Sequence, residues 1–251
     1  MSFLLVHGAG MGATSWDRLI PHLSGPAVAV DLPGRGARAH VDLRSVTLDD
    51  CAAAIVADAV DSGLSDIVLV AHSFAGVSVP RVLAELSERV AHVVFLSAVV
   101  PPDGSRVLDE IDPGVREAVE ASLDGGVYRQ DHAAVPAMLC NDMTPEQTQW
   151  TIGQVVEDAA ALLSEPVDLS GLAVDVPRTY IRLTRDTCYT PELQARSADL
   201  VGGDTVFLDS GHMAMVSIPE QLAEVLNGIA ARQVCCPGSS SGLRRGCTSP
   251  A

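Results

Sequence analysis

Short apolar runs recur along the chain, separated by polar turns and by segments with helical spacing. Each run is three or four residues long and apolar throughout, apart from Arg182 in one of them, which is typical of strands in a parallel sheet covered on both faces. The predicted strands are residues 3–6, 27–30, 67–70, 93–96, 180–183 and 206–208.

Amphipathic segments lie between these runs. Residues 47–61, 74–89 and 217–231 carry apolar side chains at intervals of three and four, and Thr47 with Asp50 three residues later predicts an N-cap. Strands that alternate with helices predict an α/β fold with a mostly parallel, doubly wound sheet of about six strands.

The alternation breaks once, between residues 101 and 175. This stretch holds the turn signals P-P-D-G, D-P-G and D-G-G, followed by predicted helices within 144–163 and no strand-like run. We interpret 101–175 as a helical cap subdomain inserted after the fourth strand, over the carboxyl edge of the sheet where open α/β folds bind ligands. Residues 1–100 and 176–232 then form the core.

The last segment, 233–251, is rich in Ser, Gly, Pro and Cys, which predicts a disordered tail or an artefact of the reading frame.

Composition narrows the class of partner. The 251 residues include 47% hydrophobic ones, enough for a single large core, and the formal charge is −16. Such a surface repels nucleic acid and anionic membranes, so a neutral, rather apolar small molecule is the expected ligand. All 16 basic residues are arginine, which excludes lysine Schiff-base and P-loop chemistry.

The cysteines and the N-terminal residues indicate the cellular compartment in which the protein is expected. Six cysteines occur without C-x-x-C pairs or nearby histidines, so neither a zinc site nor a disulfide framework is predicted. The chain enters an apolar strand directly, without the pattern of a secretion signal, and no apolar run approaches the roughly 18 residues of a membrane span. We expect a cytoplasmic protein, a monomer or homodimer, without a membrane partner.

Ser73 is the candidate nucleophile. It lies in V-A-H-S-F-A-G-V directly after the third predicted strand, where the pattern G-x-S-x-G would mark a nucleophile on a sharp strand-to-helix turn. Alanine occupies both glycine positions, Ala71 and Ala75, but these positions require small size. The alternative is that Ser73 only caps the helix that begins at Phe74.

A glycine-rich loop follows the first strand in H-G-A-G-M-G, residues 7–12. Its Ala9 N–H, together with the N–H of Phe74, predicts a two-donor oxyanion hole. A dinucleotide-binding loop is the alternative, but the third glycine of that pattern is missing.

A histidine and an acid complete the constellation. His212, in D-S-G-H-M-A-M, follows the last strand, and Asp186 follows the strand before it, which gives the chain order Ser, Asp, His. Asp103, after the fourth strand, is the competing acid. His72 is expected to point away from its neighbour Ser73, and His7 to be structural beneath the glycine loop. The remaining histidines are expected at the surface or in packing: His22, His40, His92 and His132.

These residues resemble the α/β-hydrolase superfamily, and within it the plant methyl-esterase and hydroxynitrile-lyase-like branch with its bacterial esterase relatives. The likeness covers about residues 3–231 and rests on V-H-G-A-G-M-G-A-T-S-W with D-L-P-G-R-G, the Ser73 segment, F-L-S-A-V-V-P-P-D-G, and D-x-x-x-x-P-E-L-Q leading to G-H-M-A-M. In this branch the acid stands five residues before P-E, as Asp186 stands before Pro191. Hydroxynitrile lyases need a lysine after the histidine, where this chain has Met213, so cyanohydrin cleavage is not expected.

The resemblance implies Ser73 as nucleophile, His212 as base and Asp186 as the orienting acid, with no cofactor and no metal. We expect a serine hydrolase that cleaves a small, fairly apolar carboxylic ester. A lactone, amide or C–C bond hydrolase on the same triad is the alternative, as is a hydrolase-fold receptor that binds a small ligand with little turnover. Five apolar cap residues are expected to line the pocket or to form the cap's own core: Val135, Met138, Leu139, Trp150 and Ile152.

Overall fold

A computed structural model describes residues 1–111 and 113–235. Within these residues eight strands follow one another along the chain. They are β1 Ser2–Val6, β2 Ala27–Val30, β3 Ile67–His72, β4 Val90–Leu96, β5 Val127–Tyr128, β6 Asp158–Ala159, β7 Arg178–Leu183 and β8 Asp204–Leu208.

The α-helices are α1 Leu48–Asp61, α2 Val79–Leu86, α3 Pro113–Ala121, α4 Val135–Leu139, α5 Pro145–Ile152, α6 Ala161–Ser164, α7 Pro191–Val201, α8 Ala214–Ser217 and α9 Pro219–Cys235. Short 3₁₀ helices lie at Ala13–Trp16, Ile20–His22, Gly36–Arg38, Leu43–Ser45, Ser73–Ser78, Val107–Glu110, Asp124–Gly126 and Ser170–Ala173.

Six strands form the central sheet in the order β2-β1-β3-β4-β7-β8, with every pairing parallel. The six predicted strands are confirmed, and most extend beyond their apolar run because ladder hydrogen bonds do not require apolar side chains. The expectation that both faces of every strand are covered is wrong for β8, where Phe207 is 59% exposed. As an edge strand, β8 has a neighbour on one side only.

Helices pack on both faces of the sheet, as the doubly wound prediction required. In β1, Leu4 packs in one cluster with α1 and α2, while Phe3 and Leu5 pack in the other with α9. This alternation follows from the two-residue period of a strand, which sends successive side chains to opposite faces.

Local sequence explains where the helices begin. Thr47 caps α1, since its side chain accepts a hydrogen bond from the Asp50 N–H and the Asp50 carboxylate accepts one from the Thr47 N–H. The helix predicted over 74–89 is instead a 3₁₀ helix, Ser73–Ser78, followed by α2. Pro80 lies in the first turn of α2, where its missing N–H costs no hydrogen bond. Pro219 likewise separates α8 from α9.

The inserted segment between β4 and β7 contains α3 to α6, and also a feature that the sequence did not predict. Strands β5 and β6 pair antiparallel, Val127 with Ala159 and Tyr128 with Asp158, to form a two-stranded ribbon. Strands of two residues are too short to leave a period of apolar and polar positions, which is why the sequence showed only helices there.

The final helix, α9, continues to Cys235, so residues 233–235 are helical rather than part of the predicted disordered tail. The rest of that tail, 236–251, lies outside the described residues. Across residues 1–111 and 113–235, every helix is too short or too polar to cross a membrane.

Candidate active site

Ser73 lies on a sharp turn at the carboxyl end of β3. Its φ angle is 53°, in the left-handed region that residues other than glycine rarely adopt. The Ser73 carbonyl accepts a hydrogen bond from the N–H of Val99, at 2.9 Å, which ties the turn to the loop after β4. The N-cap position of the following 3₁₀ helix is His72, and no side chain caps it. The structure therefore does not place Ser73 as a helix cap.

Neighbouring atoms come closest to the Ser73 turn at glycines beside the motif, not at the two alanines within it. A Cβ atom at Gly76 would lie 2.4 Å from the carbonyl oxygen of Val99, and one at Gly8 would lie 2.7 Å from the Ser73 Cβ. Ala71 and Ala75 are buried with their methyl groups accommodated. The space for the turn thus depends on Gly8 and Gly76, and alanine at the two motif positions is compatible with it.

His212 and Asp186 meet at the same sheet edge, in the loops after β8 and β7. The His212 Nδ1 lies 2.7 Å from the Asp186 Oδ2. The carboxylate also accepts hydrogen bonds from Ser97 Oγ at 2.6 Å and from the N–H groups of Cys188 and Tyr189 at 2.8 and 2.9 Å. These contacts hold the acid in one orientation, and its hydrogen bond to Nδ1 leaves Nε2 of His212 for proton transfer.

Asp103, the competing acid, lies elsewhere. It is exposed, and its Oδ1 accepts a hydrogen bond from the N–H of Leu169 at 2.8 Å. The structure brings Asp186 to His212 and leaves Asp103 in a surface turn.

A cavity of about 470 Å³ contains the Ser73 and His212 side chains in its wall. Ala9 and Phe74, the predicted oxyanion-hole residues, line the same cavity. Most of its remaining wall is apolar and comes from the inserted segment and from α7, including Ile111, Val119, Leu163 and Leu193. The arrangement places a serine and an acid-oriented histidine at one largely apolar cavity, beside the two residues predicted to supply the oxyanion hole.

The profile of the Alpha/beta hydrolase family matches residues 3–225. The chain belongs to this family. Probable hydrolase R7 of Phoma sp. is 29% identical over 238 residues, which cover 90% of this chain and 97% of the relative. A carbendazim hydrolyzing esterase of Nocardioides sp. is 28% identical over 240 residues, with 90% and 98% covered.

An extracellular alpha/beta-hydrolase from a Paenibacillus species has a similar structure, with a TM-score of 0.81 at 23% identity over 90% of this chain and 97% of that one. Plant proteins, among them a probable esterase of Oryza sativa, match as well. The predicted superfamily and its plant esterase-like branch are confirmed, and the hydrolase and esterase relatives support hydrolase activity.

Charge and burial set the protonation of the His212–Asp186 pair. Burial opposes a charged imidazole, but the Asp186 carboxylate and the neighbouring Cys188 side chain together outweigh it and raise the pKa of His212 well above its usual value. Burial likewise opposes a charged Asp186, but His212 and the donated hydrogen bonds lower the pKa of this carboxyl. The site therefore favours an imidazolium beside a carboxylate.

Two other histidines lie close to the site. His7 donates from Nδ1 to the Gly8 carbonyl at 2.8 Å and accepts at Nε2 from the Leu32 N–H at 3.2 Å, so it is structural as predicted. Burial lowers the pKa of His7 to about 4 and keeps it neutral. His72 is the last residue of β3, and its side chain lies on the face that Val68 and Val70 share with Trp16. Its ring centroid lies 4.6 Å from that of His212, and its Nε2 donates to the His212 carbonyl at 2.9 Å.

The cap residues expected at the pocket divide into two groups. Met138 and Leu139 line the cavity. All five, including Val135, Trp150 and Ile152, pack with the apolar cluster on the α9 face of the sheet. Sequence reasoning missed Tyr128 and Gln130, which the β5–β6 ribbon brings to the cavity wall, since nothing in the local pattern predicted that ribbon.

Proposed function

We propose that this protein is a serine esterase that hydrolyses a small, largely apolar carboxylic ester through an acyl-enzyme on Ser73. The observation that carries the proposal is the Asp186–His212 hydrogen bond of 2.7 Å beside a cavity that His212 shares with the strained Ser73 turn. Esterases among the family relatives support the same reaction class.

In this proposal the Ser73 hydroxyl attacks the ester carbonyl while His212 Nε2 accepts its proton. The tetrahedral oxyanion receives hydrogen bonds from the N–H groups of Ala9 and Phe74, each worth about 3 kcal/mol in the transition state. His212 then protonates the leaving alcohol, and the acyl group stays on Ser73. A water molecule, deprotonated by His212, releases the carboxylic acid and restores the serine hydroxyl.

The cavity and the surface charge support a neutral substrate. Apolar side chains dominate the wall, and Glu110 is the only Asp, Glu, Lys or Arg among the described residues that line it. The formal charge of −16 disfavours the approach of anions. The thiols of Cys51, Cys140 and Cys188 are free, which supports a reducing compartment such as the cytoplasm.

A panel of p-nitrophenyl esters, from acetate to decanoate, tests the reaction and the substrate class together. We expect turnover of the neutral esters, and at least about tenfold lower kcat/KM for the p-nitrophenyl hemiester of succinate than for the butyrate, because both the cavity and the surface repel its carboxylate. A matched p-nitroanilide and a lactone separate ester from amide and lactone hydrolysis. Ligand binding without turnover of any compound would contradict the proposal and favour a receptor.

The raised pKa of His212 gives the reaction a pH dependence. Only the neutral imidazole accepts the serine proton, so kcat/KM is expected to rise with pH and to reach half its maximum above pH 6.5, the usual value for histidine. The measurement is kcat/KM for p-nitrophenyl butyrate between pH 5 and 9, with circular dichroism at each pH as the control for folding. A rate independent of pH across this interval would contradict the role given to His212.

A further inference from the structure

A buried ion pair joins the core to the inserted ribbon beside the glycine-rich loop, residues 7–12. Arg35 lies in the loop after β2, and Asp158 begins β6. The two side chains are 3% and 2% exposed, and both guanidinium Nη atoms contact the carboxylate, Nη1 at 2.9 Å from Oδ2 and Nη2 beside Oδ1. The sequence patterns predicted no role for either residue.

Both partners of this pair also bind the backbone of the glycine-rich loop. The Gly10 N–H donates to Asp158 Oδ2 at 2.8 Å, and Arg35 Nη1 donates to the Met11 carbonyl at 2.8 Å. The ribbon side adds a third contact, since the Val156 N–H donates to the Gly10 carbonyl at 2.9 Å.

These contacts surround the residue whose N–H is the proposed oxyanion donor. The peptide unit that joins Ala9 to Gly10 is held at both ends, its N–H by Asp158 and its carbonyl by Gln130 Nε2 at 3.2 Å. Gly10 has a φ of 69°, a conformation that leaves glycine many alternatives when it is unrestrained. The Ala9 N–H belongs to the preceding peptide unit, whose Gly8 carbonyl accepts from His7 Nδ1 at 2.8 Å. The two units meet at the Ala9 Cα, so Asp158 and Gln130 fix the peptide directly after the proposed donor.

Stability alone is a weak reason for such a pair. Taking two charges out of water costs several kcal/mol per ion, and apolar residues of similar volume often replace a buried pair without loss of stability. A rigid, charged acceptor does, however, fix a backbone N–H better than packing does.

We propose that Arg35 and Asp158 are positioning residues that hold the glycine-rich loop so that the Ala9 N–H points at the developing oxyanion. The inference rests on the proposed esterase function. The ribbon is then part of the catalytic apparatus, because its Asp158 and Gln130 set the geometry of a donor in the core.

The test replaces the pair by apolar residues, Arg35→Met with Asp158→Leu, since this double variant removes the contacts to the loop without leaving an unpaired charge. For p-nitrophenyl butyrate we expect kcat to fall about 100-fold with KM within about threefold of wild type, as for an oxyanion donor that is out of place. The inhibition constant of a trifluoromethyl ketone, which forms a tetrahedral adduct with the serine, is expected to rise about as much. That of the corresponding secondary alcohol should not change.

The matched control is Arg38→Met with Asp58→Leu. This pair is also bidentate, with distances of 3.0 and 2.6 Å, and Arg38 belongs to the same segment as Arg35, but neither partner contacts residues 7–12. We expect the control to keep kcat within about threefold of wild type.

Four outcomes separate the claims. A folded Arg35→Met, Asp158→Leu variant with wild-type kcat and ketone affinity overturns the positioning role, and so does an equal loss in the control. If the double variant does not fold, Asp158→Ala decides, since it removes the acceptor of the Gly10 N–H, and an unchanged kcat there also overturns the role. Absence of ester turnover by the wild type would instead remove the proposed function itself.

Discussion

Ser73→Ala is expected to lower kcat for p-nitrophenyl butyrate by about 10⁴-fold or more, with little change in KM, because the variant keeps the cavity but lacks the atom that the acyl group would bind. His212→Ala is expected to match this loss, and the two changes combined should cost little more than either one, since a triad acts as a unit.

Ser78→Ala is the matched control for Ser73→Ala. Ser78 ends the same 3₁₀ helix, is fully buried, and its Oγ has no hydrogen-bond partner among the described residues. Removing an unpaired buried hydroxyl costs little stability, so this variant should keep wild-type activity. Equal activity in Ser73→Ala and wild type would show that another residue is the nucleophile.

Asp186→Asn is expected to lower kcat by about 10⁴-fold, since an amide that donates to the imidazole favours the wrong tautomer of His212. Asp103→Asn should leave kcat within about twofold, because the amide oxygen can still accept from the Leu169 N–H in its exposed turn. The measurement is kcat of both variants for p-nitrophenyl butyrate, after a thermal melt has confirmed that each variant is folded.

The opposite result for the Asp186→Asn and Asp103→Asn variants would contradict the role given to Asp186. If Asp103→Asn lost the activity and Asp186→Asn retained it, the acid would come from the loop after β4, and the 2.7 Å contact between Asp186 and His212 would be only structural. The extent of the loss also matters, since a loss of only tenfold in a folded variant would show that His212 needs little orientation from Asp186.

The centre of the sheet was predictable because its inner strands, β1, β3, β4 and β7, are mostly buried on both faces and leave apolar runs. The order of Ser73, Asp186 and His212 was readable for a related reason, since each follows a strand and parallel strands bring their carboxyl ends to one edge. The two-residue strands β5 and β6 lack such a signal, and the apolar run of β8 predicted the strand but not the exposure of Phe207.

The contacts around the glycine-rich loop show why the rest of the site was hidden. Arg35 stands in D-L-P-G-R-G, a segment noticed for its family likeness, but its partner Asp158 is 123 residues away in an insertion of unpredicted shape. Local patterns predict elements, while contacts between distant segments depend on tertiary packing.

Trapping of the acyl-enzyme tests the account most directly. The protein is mixed with excess p-nitrophenyl butyrate, quenched in acid within milliseconds, digested and examined by mass spectrometry. We predict a butyryl group on the peptide that contains Ser73, at no more than one per chain, and its absence from Ser73→Ala. Turnover without any adduct, or an adduct on another residue such as the cavity-lining Cys188, would contradict the account.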